Sequence, residues 1–338
     1  FLKIANGNAA LAQSQMTQYY KYMAASMDRR YQSITNYFPK LKVRVSMTSL
    51  TICDDASECV WSQNNVIPST EKITYTNALT QFRDFILTGK APKADHSMFI
   101  TGYQMAKPDG TTGNIGISYV GSMCSVWSVS MIQERYSGAT SGVAAHELGH
   151  SLGSFHDNNK AYIGCTNAHY VMNSVASFPT DQNQASRPYI FSNCSANSIA
   201  EYLKETKASC TTNQQSSQTA PTPPAGQHFN ADAQCAFYNG VESRFCRKEQ
   251  KERGFQNMCA RMACSLPSNQ ASCSDIVPQD RTSCGDGQWC VDDICVTDAA
   301  APKKPKDCPQ GDDPTAGCSA AKCQDSTMLT LCCQTCAK

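Results

Sequence analysis

The sequence predicts an α/β layered domain, a mixed sheet flanked by helices, followed by two small disulfide-rich modules. Three observations predict it. Helical and strand periodicities alternate over roughly the first 213 residues, cysteine density rises sharply after them, and two polar, proline-bearing stretches divide the chain.

The elements follow in order. Residues 9–34 are rich in Ala, Gln, Met and Tyr without Pro or Gly, which predicts a long helix. Leu41, Val43, Val45 and Met47 alternate with Lys42, Arg44 and Ser46, the pattern of a strand with one wet face. Ala78, Leu79, Phe82, Phe85 and Ile86 fall at helical spacing and predict a helix near 76–88. Residues 97–103 and 114–121 read as further strands, and 139–152 and 195–207 as further helices.

The chain has 338 residues, 41% apolar and 17% charged, with 29 basic side chains against 28 acidic ones. So balanced a surface gives no global attraction to nucleic acid or to an anionic membrane. No run of about 18 apolar residues occurs, so no transmembrane segment is expected. The 20 cysteines are an even number, and pairing them implies an oxidising, extracellular setting. The chain opens Phe1-Leu2-Lys3-Ile4 without Met or a leader, as a processed secreted form or an imposed boundary would.

Cysteine density sets the expected modules. Residues 1–213 form the first; 214–227 are a linker with no large apolar side chain before Phe229; 228–297 form a second module with eight cysteines. A linker at 298–306, containing Lys303, Lys304 and Lys306, precedes a six-cysteine module at 307–338. The two small modules depend on disulfides because neither can bury a large core.

The chemistry concentrates in Gly142-Val-Ala-Ala-His146-Glu147-Leu148-Gly149-His150-Ser151-Leu152-Gly153-Ser154-Phe155-His156-Asp157. On a helix, His146 and His150 lie one turn apart on one face and can reach one ion. Gly153 permits a left-handed turn that ends the helix and returns His156 to the same ion. Three imidazoles leave the fourth position of a tetrahedral Zn²⁺ open, which is the catalytic arrangement. Glu147 stands beside the first ligand as a general base for a water nucleophile. The expected reaction is hydrolysis of an internal peptide bond. His96, His169 and His228 lack ligand spacing and read as ordinary packing or surface residues.

The pattern His-Glu-x-x-His-x-x-Gly-x-x-His, with Tyr170-Val171-Met172-Asn173 after it, resembles the metzincin zinc proteases, whose Met-turn lies beneath the metal. The resemblance implies an α/β metzincin catalytic domain with a zinc cleft, and makes Met172 the floor. Asp157, following the third His, is similar to the adamalysin (reprolysin) branch, which holds the ADAM and ADAMTS enzymes. Gly116-Ile117-Ser118-Tyr-Val-Gly-Ser-Met-Cys124 resembles that branch's Gly-(Ile/Leu)-Ala-Tyr-Val-Gly-x-Met-Cys segment. There an edge strand pairs with extended substrate, so Gly116, Ile117 and Ser118 become candidate substrate-binding residues. The segment at about 172–189 should shape the pocket for the residue after the cut, with Phe178, Pro179 and Tyr189 as candidate walls.

Asp95 sits in a segment similar to the family's Asp-x-Ala-x-Leu-(Leu/Ile)-Thr-Gly, and Cys210-Thr-Thr-Asn213 resembles its closing Cys-x-x-Asn. The resemblance makes Asp95, the Cys210 carbonyl and Asn213 candidate ligands of a structural Ca²⁺. The family's further acidic ligand falls at Lys3 here, or is absent. The same resemblance implies disulfides Cys124–Cys210 and Cys165–Cys194, which leaves Cys53 with Cys59.

Phe229-Asn-Ala-Asp-Ala-Gln-Cys235 and Thr282-Ser-Cys-Gly-Asp-Gly-Gln-Trp-Cys-Val-Asp-Asp-Ile-Cys295 resemble the disintegrin-like domain of ADAMTS proteases. That implies a platform that helps select substrate. Cys332-Cys333-Gln-Thr-Cys336 resembles the PLAC module, with an ShK-like toxin fold as the competing match. The expected protein is a secreted, monomeric zinc metalloendopeptidase of shortened ADAMTS type, acting on extracellular matrix or clotting proteins. In this family a pro-segment blocks the zinc, so the chain as it stands would be the active form. The alternative is a secreted binding protein or toxin whose cysteine-rich modules carry the function.

Overall fold

In the computed structural model, the described residues are all those except 163, 166–167, 177–183, 213–220, 306 and 338. The long helix α1 (Ala9–Gln32) is capped by the Asn8 side chain, which accepts the Leu11 N–H at 3.0 Å. A short helix α2 (Val60–Gln63) and a strand β1 (Lys72–Thr74) lead into α3 (Tyr75–Leu87). Strands β2 (Ser97–Thr101), β3 (Gln104–Ala106), β4 (Gly116–Ser118) and β5 (Val129–Gln133) follow, then α4 (Gly138–Ser151) and α5 (Asn193–Lys204).

The sheet is mixed. β5 is its centre, parallel to β2 and antiparallel to β4, while β1 and β3 form a separate parallel pair. Alternation along β5 explains its burial on both sides. Val129 and Met131 join Leu79 and Phe82 of α3 on one face, and Ile132 joins the cluster of α1 and α4 on the other. The Tyr31 hydroxyl of α1 donates to the Ala145 carbonyl of α4 at 2.9 Å, tying the two helices across that cluster.

The strand expected at 41–47 is a correction. The residues are extended but pair with no strand among the described residues. Leu41, Val43, Val45 and Met47 still face the core, as their alternation demands. What replaces the ladder is a side chain. Asp28 accepts the Val45 N–H at 2.7 Å and the Arg44 guanidinium at 2.9 Å, so one backbone donor of the stretch finds a side-chain acceptor in place of a neighbouring strand. The strand expected at 114–121 also shrinks, to the three residues of β4.

The second module begins with α6 (Ala225–His228), α7 (Ala231–Asn239) and α8 (Arg247–Arg253). Two antiparallel sheets follow: β6 (Met262–Leu266) with β7 (Asn269–Ile276), and β8 (Ser283–Gly285), β9 (Gln288–Val291) and β10 (Ile294–Thr297). A last helix, α9 (Ser326–Leu331), sits in the third module. This module is held by more than its disulfides: buried Arg247 pairs with Asp232 at 2.7 Å and donates to the Gly311 and Asp312 carbonyls at 2.9 and 2.8 Å. Nor is 298–305 a solvated tether. The Gly287 N–H donates to the Pro302 carbonyl, and Lys304 N–H to Asp286.

All 20 cysteines are paired, and every bond stays within one module. Cys53–Cys59, Cys124–Cys210 and Cys165–Cys194 lie in the first. Cys235–Cys264, Cys246–Cys273, Cys259–Cys290 and Cys284–Cys295 lie in the second. Cys308–Cys333, Cys318–Cys332 and Cys323–Cys336 lie in the third. The first two modules are joined without a disulfide: Ala225, Phe229 and Phe237 belong to the same buried cluster as Tyr19 and Tyr22 of α1, and Arg29 of α1 pairs with Asp280 and Asp292. Among the described residues no helix is long and apolar enough to cross a membrane.

Candidate metal and catalytic site

α4 carries His146, Glu147 and His150 in its last two turns. Gly153 then takes φ +85°, and a Cβ there would stand 2.8 Å from the Tyr202 ring, so both conformation and space call for glycine. The reversal brings His156 back. His156 Nε2 lies 3.2 Å from the Nε2 atoms of both His146 and His150. Nitrogens held at roughly 2.0–2.1 Å from one tetrahedral zinc stand about 3.3 Å apart, so the three rings fit that ion.

The opposite ring nitrogens are spoken for. His146 Nδ1 meets the Val171 carbonyl at 2.8 Å, and His150 Nδ1 meets the Ser154 carbonyl at 2.7 Å. These acceptors fix the tautomer that turns Nε2 inward. Burial drives the His146 pKa down to about 3 and that of His150 to about 4, keeping both neutral, which is the ligating form. Burial also lowers that of His156.

Glu147 is buried against β4. Ser118 Oγ donates to its Oε2 at 2.7 Å, and Gly116 gives it room: a Cβ at 116 would stand 2.3 Å from Oε1. Burial raises the Glu147 carboxyl to about 7, with the Ser118 hydrogen bond pulling the other way. A carboxylate poised near neutrality suits a group that accepts and returns a proton. β4 is an edge strand, so its outer side is open to an extended peptide.

Met172 is fully buried, and a Cβ on Gly149 would stand 2.6 Å from its Sδ. The methionine therefore lies against the helix one residue before His150. The Met-turn is anchored by Asp157, whose N–H donates to the Met172 carbonyl at 3.0 Å. The buried Asp157 carboxylate accepts from the hydroxyls of Ser192 and Ser195, each at 2.5 Å. Asp157 served only as a branch marker in the sequence; its two serine partners leave no motif of their own.

Other predicted residues lie elsewhere. The Tyr189 hydroxyl donates to Asp293 of the second module at 2.5 Å, and Arg30 stacks on its ring at 4.3 Å. Phe178, Pro179 and Asn213 fall outside the described residues. Asp95 precedes β2, half-buried, and its carbonyl accepts from Ser128. Cys210 is bonded to Cys124. His96 lies between the hydroxyls of Ser128 and Ser130, at 3.1 and 2.9 Å, as a packing residue.

Three converging histidines, a buried glutamate beside the first and a methionine packed against their helix, in an α/β domain, are the features of a metallopeptidase. The family model described as "Reprolysin (M12B) family zinc metalloprotease" matches residues 13–215, and the chain belongs to that family. Residues 225–296 match "ADAMTS cysteine-rich domain 2", the name that suits the module read above as disintegrin-like. The chain is similar to human "A disintegrin and metalloproteinase with thrombospondin motifs 10", 29% identical over 62% of this chain and 19% of that protein. It is similar to "A disintegrin and metalloproteinase with thrombospondin motifs like" of Bombyx mori, 25% identical over 84% of this chain and 41% of that one. Human "A disintegrin and metalloproteinase with thrombospondin motifs 13" is 31% identical over 60% of this chain and 14% of its own length. The chain thus spans less than half the length of each.

Proposed function

We propose that the protein is an extracellular zinc endopeptidase that cuts internal peptide bonds of matrix or plasma proteins. The reading rests on one observation: His156 Nε2 lies 3.2 Å from the Nε2 atoms of His146 and His150, with the buried Glu147 beside the first. His146, His150 and His156 hold the metal. When bound, zinc polarises the scissile carbonyl and acidifies the attacking water.

The remaining roles fall to the chain itself. Glu147 takes the proton of the attacking water and delivers it to the leaving amine. Ser118 keeps the carboxylate aimed by its hydrogen bond. The edge of β4 aligns the substrate backbone, with Gly116 and Ser118 on the side that meets the base and Ile117 between them packed towards α3. Met172 sets the depth of the histidine floor. A structural Ca²⁺ held by Asp95, Cys210 and Asn213 belongs to the same reading. Twenty paired cysteines support an oxidising, extracellular location. The division into a catalytic module, a cysteine-rich module and a six-cysteine tail is part of this proposal, as is the monomeric state.

The test is cleavage of fibrinogen or a matrix protein with and without a zinc chelator, beside the Glu147→Ala variant. Chelation should abolish cleavage. Glu147→Ala should lower it by about 10²–10⁴-fold or more while still binding zinc. Wild-type protein that is inactive, or a Glu147→Ala variant that cleaves normally, would sink the enzyme reading.

A further inference from the structure

The turn joining β9 to β10 places Asp292 and Asp293 at φ +50° and +62°. A two-residue hairpin with both residues left-handed ordinarily selects Asn-Gly. Two aspartates accept a backbone cost there, and such residues are retained where contacts hold them. Both are held from the catalytic side. Asp293 is buried and accepts the Tyr189 hydroxyl at 2.5 Å. Asp292 pairs with Arg29 of α1 at 2.8 Å.

Tyr189 is fixed on its other side too. The Arg30 guanidinium covers its ring at 4.3 Å, while Arg30 Nε donates to the Pro188 carbonyl at 3.1 Å. From Tyr189 the route to the metal ligands is short. The next carbonyl, of Ile190, accepts the Val171 N–H at 3.1 Å, and the Val171 carbonyl accepts His146 Nδ1 at 2.8 Å. Met172 follows Val171. The module also reaches α4 directly, since the Val277 carbonyl accepts the Gly138 N–H at 2.9 Å.

We propose that the Asp292–Asp293 tip of the cysteine-rich module is a positioning element of the active site: by holding Tyr189 it sets the segment that orients His146 and carries the Met-turn. The module then acts on the cut itself, not only by offering substrate a second surface. Asp293 and Tyr189 are positioning residues, acting through Val171. The inference rests on the endopeptidase reading.

A short peptide substrate with only about two residues on either side of the cut, roughly 7 Å each way, ends close to the metal and separates the two ideas. In the full chain, Asp293→Ala and Tyr189→Phe should each lower kcat/KM three- to tenfold, the scale of one lost hydrogen bond, and should alter the preference for the residue after the cut. Their double variant should be little worse than either, because both remove one interaction. Asp293→Asn keeps an acceptor and should restore most of the activity. Asp280→Asn weakens the same interface at its Arg29 contact without touching Tyr189, and should stay within twofold of wild type. Unchanged kinetics and preference in Asp293→Ala and Tyr189→Phe, or an equal loss in Asp280→Asn, would overturn the proposal while leaving the enzyme reading intact. An inactive wild type would overturn both.

Discussion

At the scale of single residues, the site is a set of close fits around Glu147. Gly116 is the tightest. A Cβ there would come within 2.8 Å of both Cγ and Cδ of Glu147, so the side chain as a whole would have to swing away. Gly116→Ala is expected to reduce kcat by about tenfold or more, since a displacement of ~1 Å at a catalytic group is costly, with little change in melting temperature. Steady-state kinetics beside a thermal scan would check this; a large fall in stability with normal kcat would refute it. The histidines and Glu147 were legible because helical spacing and a glycine reversal leave a trace in residue types. The carbonyls of Val171 and Ser154 were not, because a backbone acceptor can belong to any residue. Ser118 was legible only as a position on the edge strand, and its hydroxyl contact with Glu147 emerged with the fold.

At the scale of elements, the four long helices of the first module were readable to within about three residues because their apolar spacing is regular, while the short helices of the chain drew no assignment. The start of α4, for instance, lies at Gly138 against an expected 139. The short strands were harder. β5, the centre of the sheet, drew no assignment: buried on both faces, it lacks the polar alternation that marks a half-wet strand. The stretch 41–47 had that alternation and is still not a strand, because Asp28 supplies the hydrogen bond a neighbour would have made. A related economy governs α5. Ser192 accepts the Ser195 N–H as its cap and donates to Asp157 beneath the Met-turn. Ser192→Ala removes both contacts and should destabilise the protein by about 1–3 kcal/mol in chemical denaturation. A change below ~0.5 kcal/mol would show that the cap is dispensable.

At the scale of the whole molecule, the docking of the two modules should depend on pH. Burial lifts the Asp293 carboxyl from 3.8 to about 7. The groups facing it are Tyr189 and Arg30 from the catalytic side and Asp292 beside it, which is itself paired with Arg29. Between those two values the folded chain holds a proton that the unfolded chain releases. Its contribution is therefore fullest at low pH and is lost as pH rises towards 7, by at most about 1.4 kcal/mol per pH unit. Asp293→Asn cannot titrate, so the wild-type minus variant difference in melting temperature should fall between about pH 4 and pH 7 and level off above that. A flat difference would remove Asp293 from the account. None of this was visible in the sequence, where Asp-Asp at a hairpin tip reads as a polar turn.

The shared aromatic cluster carries a last consequence, for how such a protein can change. Tyr19 and Tyr22 meet Phe229 and Phe237 across what the cysteine pattern marks as a boundary. A change of side-chain size on one side is expected to need an answering change on the other. A chimera that borrows one half from a relative inherits a mismatched seam even when every disulfide is intact, so the unit of inheritance here is larger than the unit of oxidation.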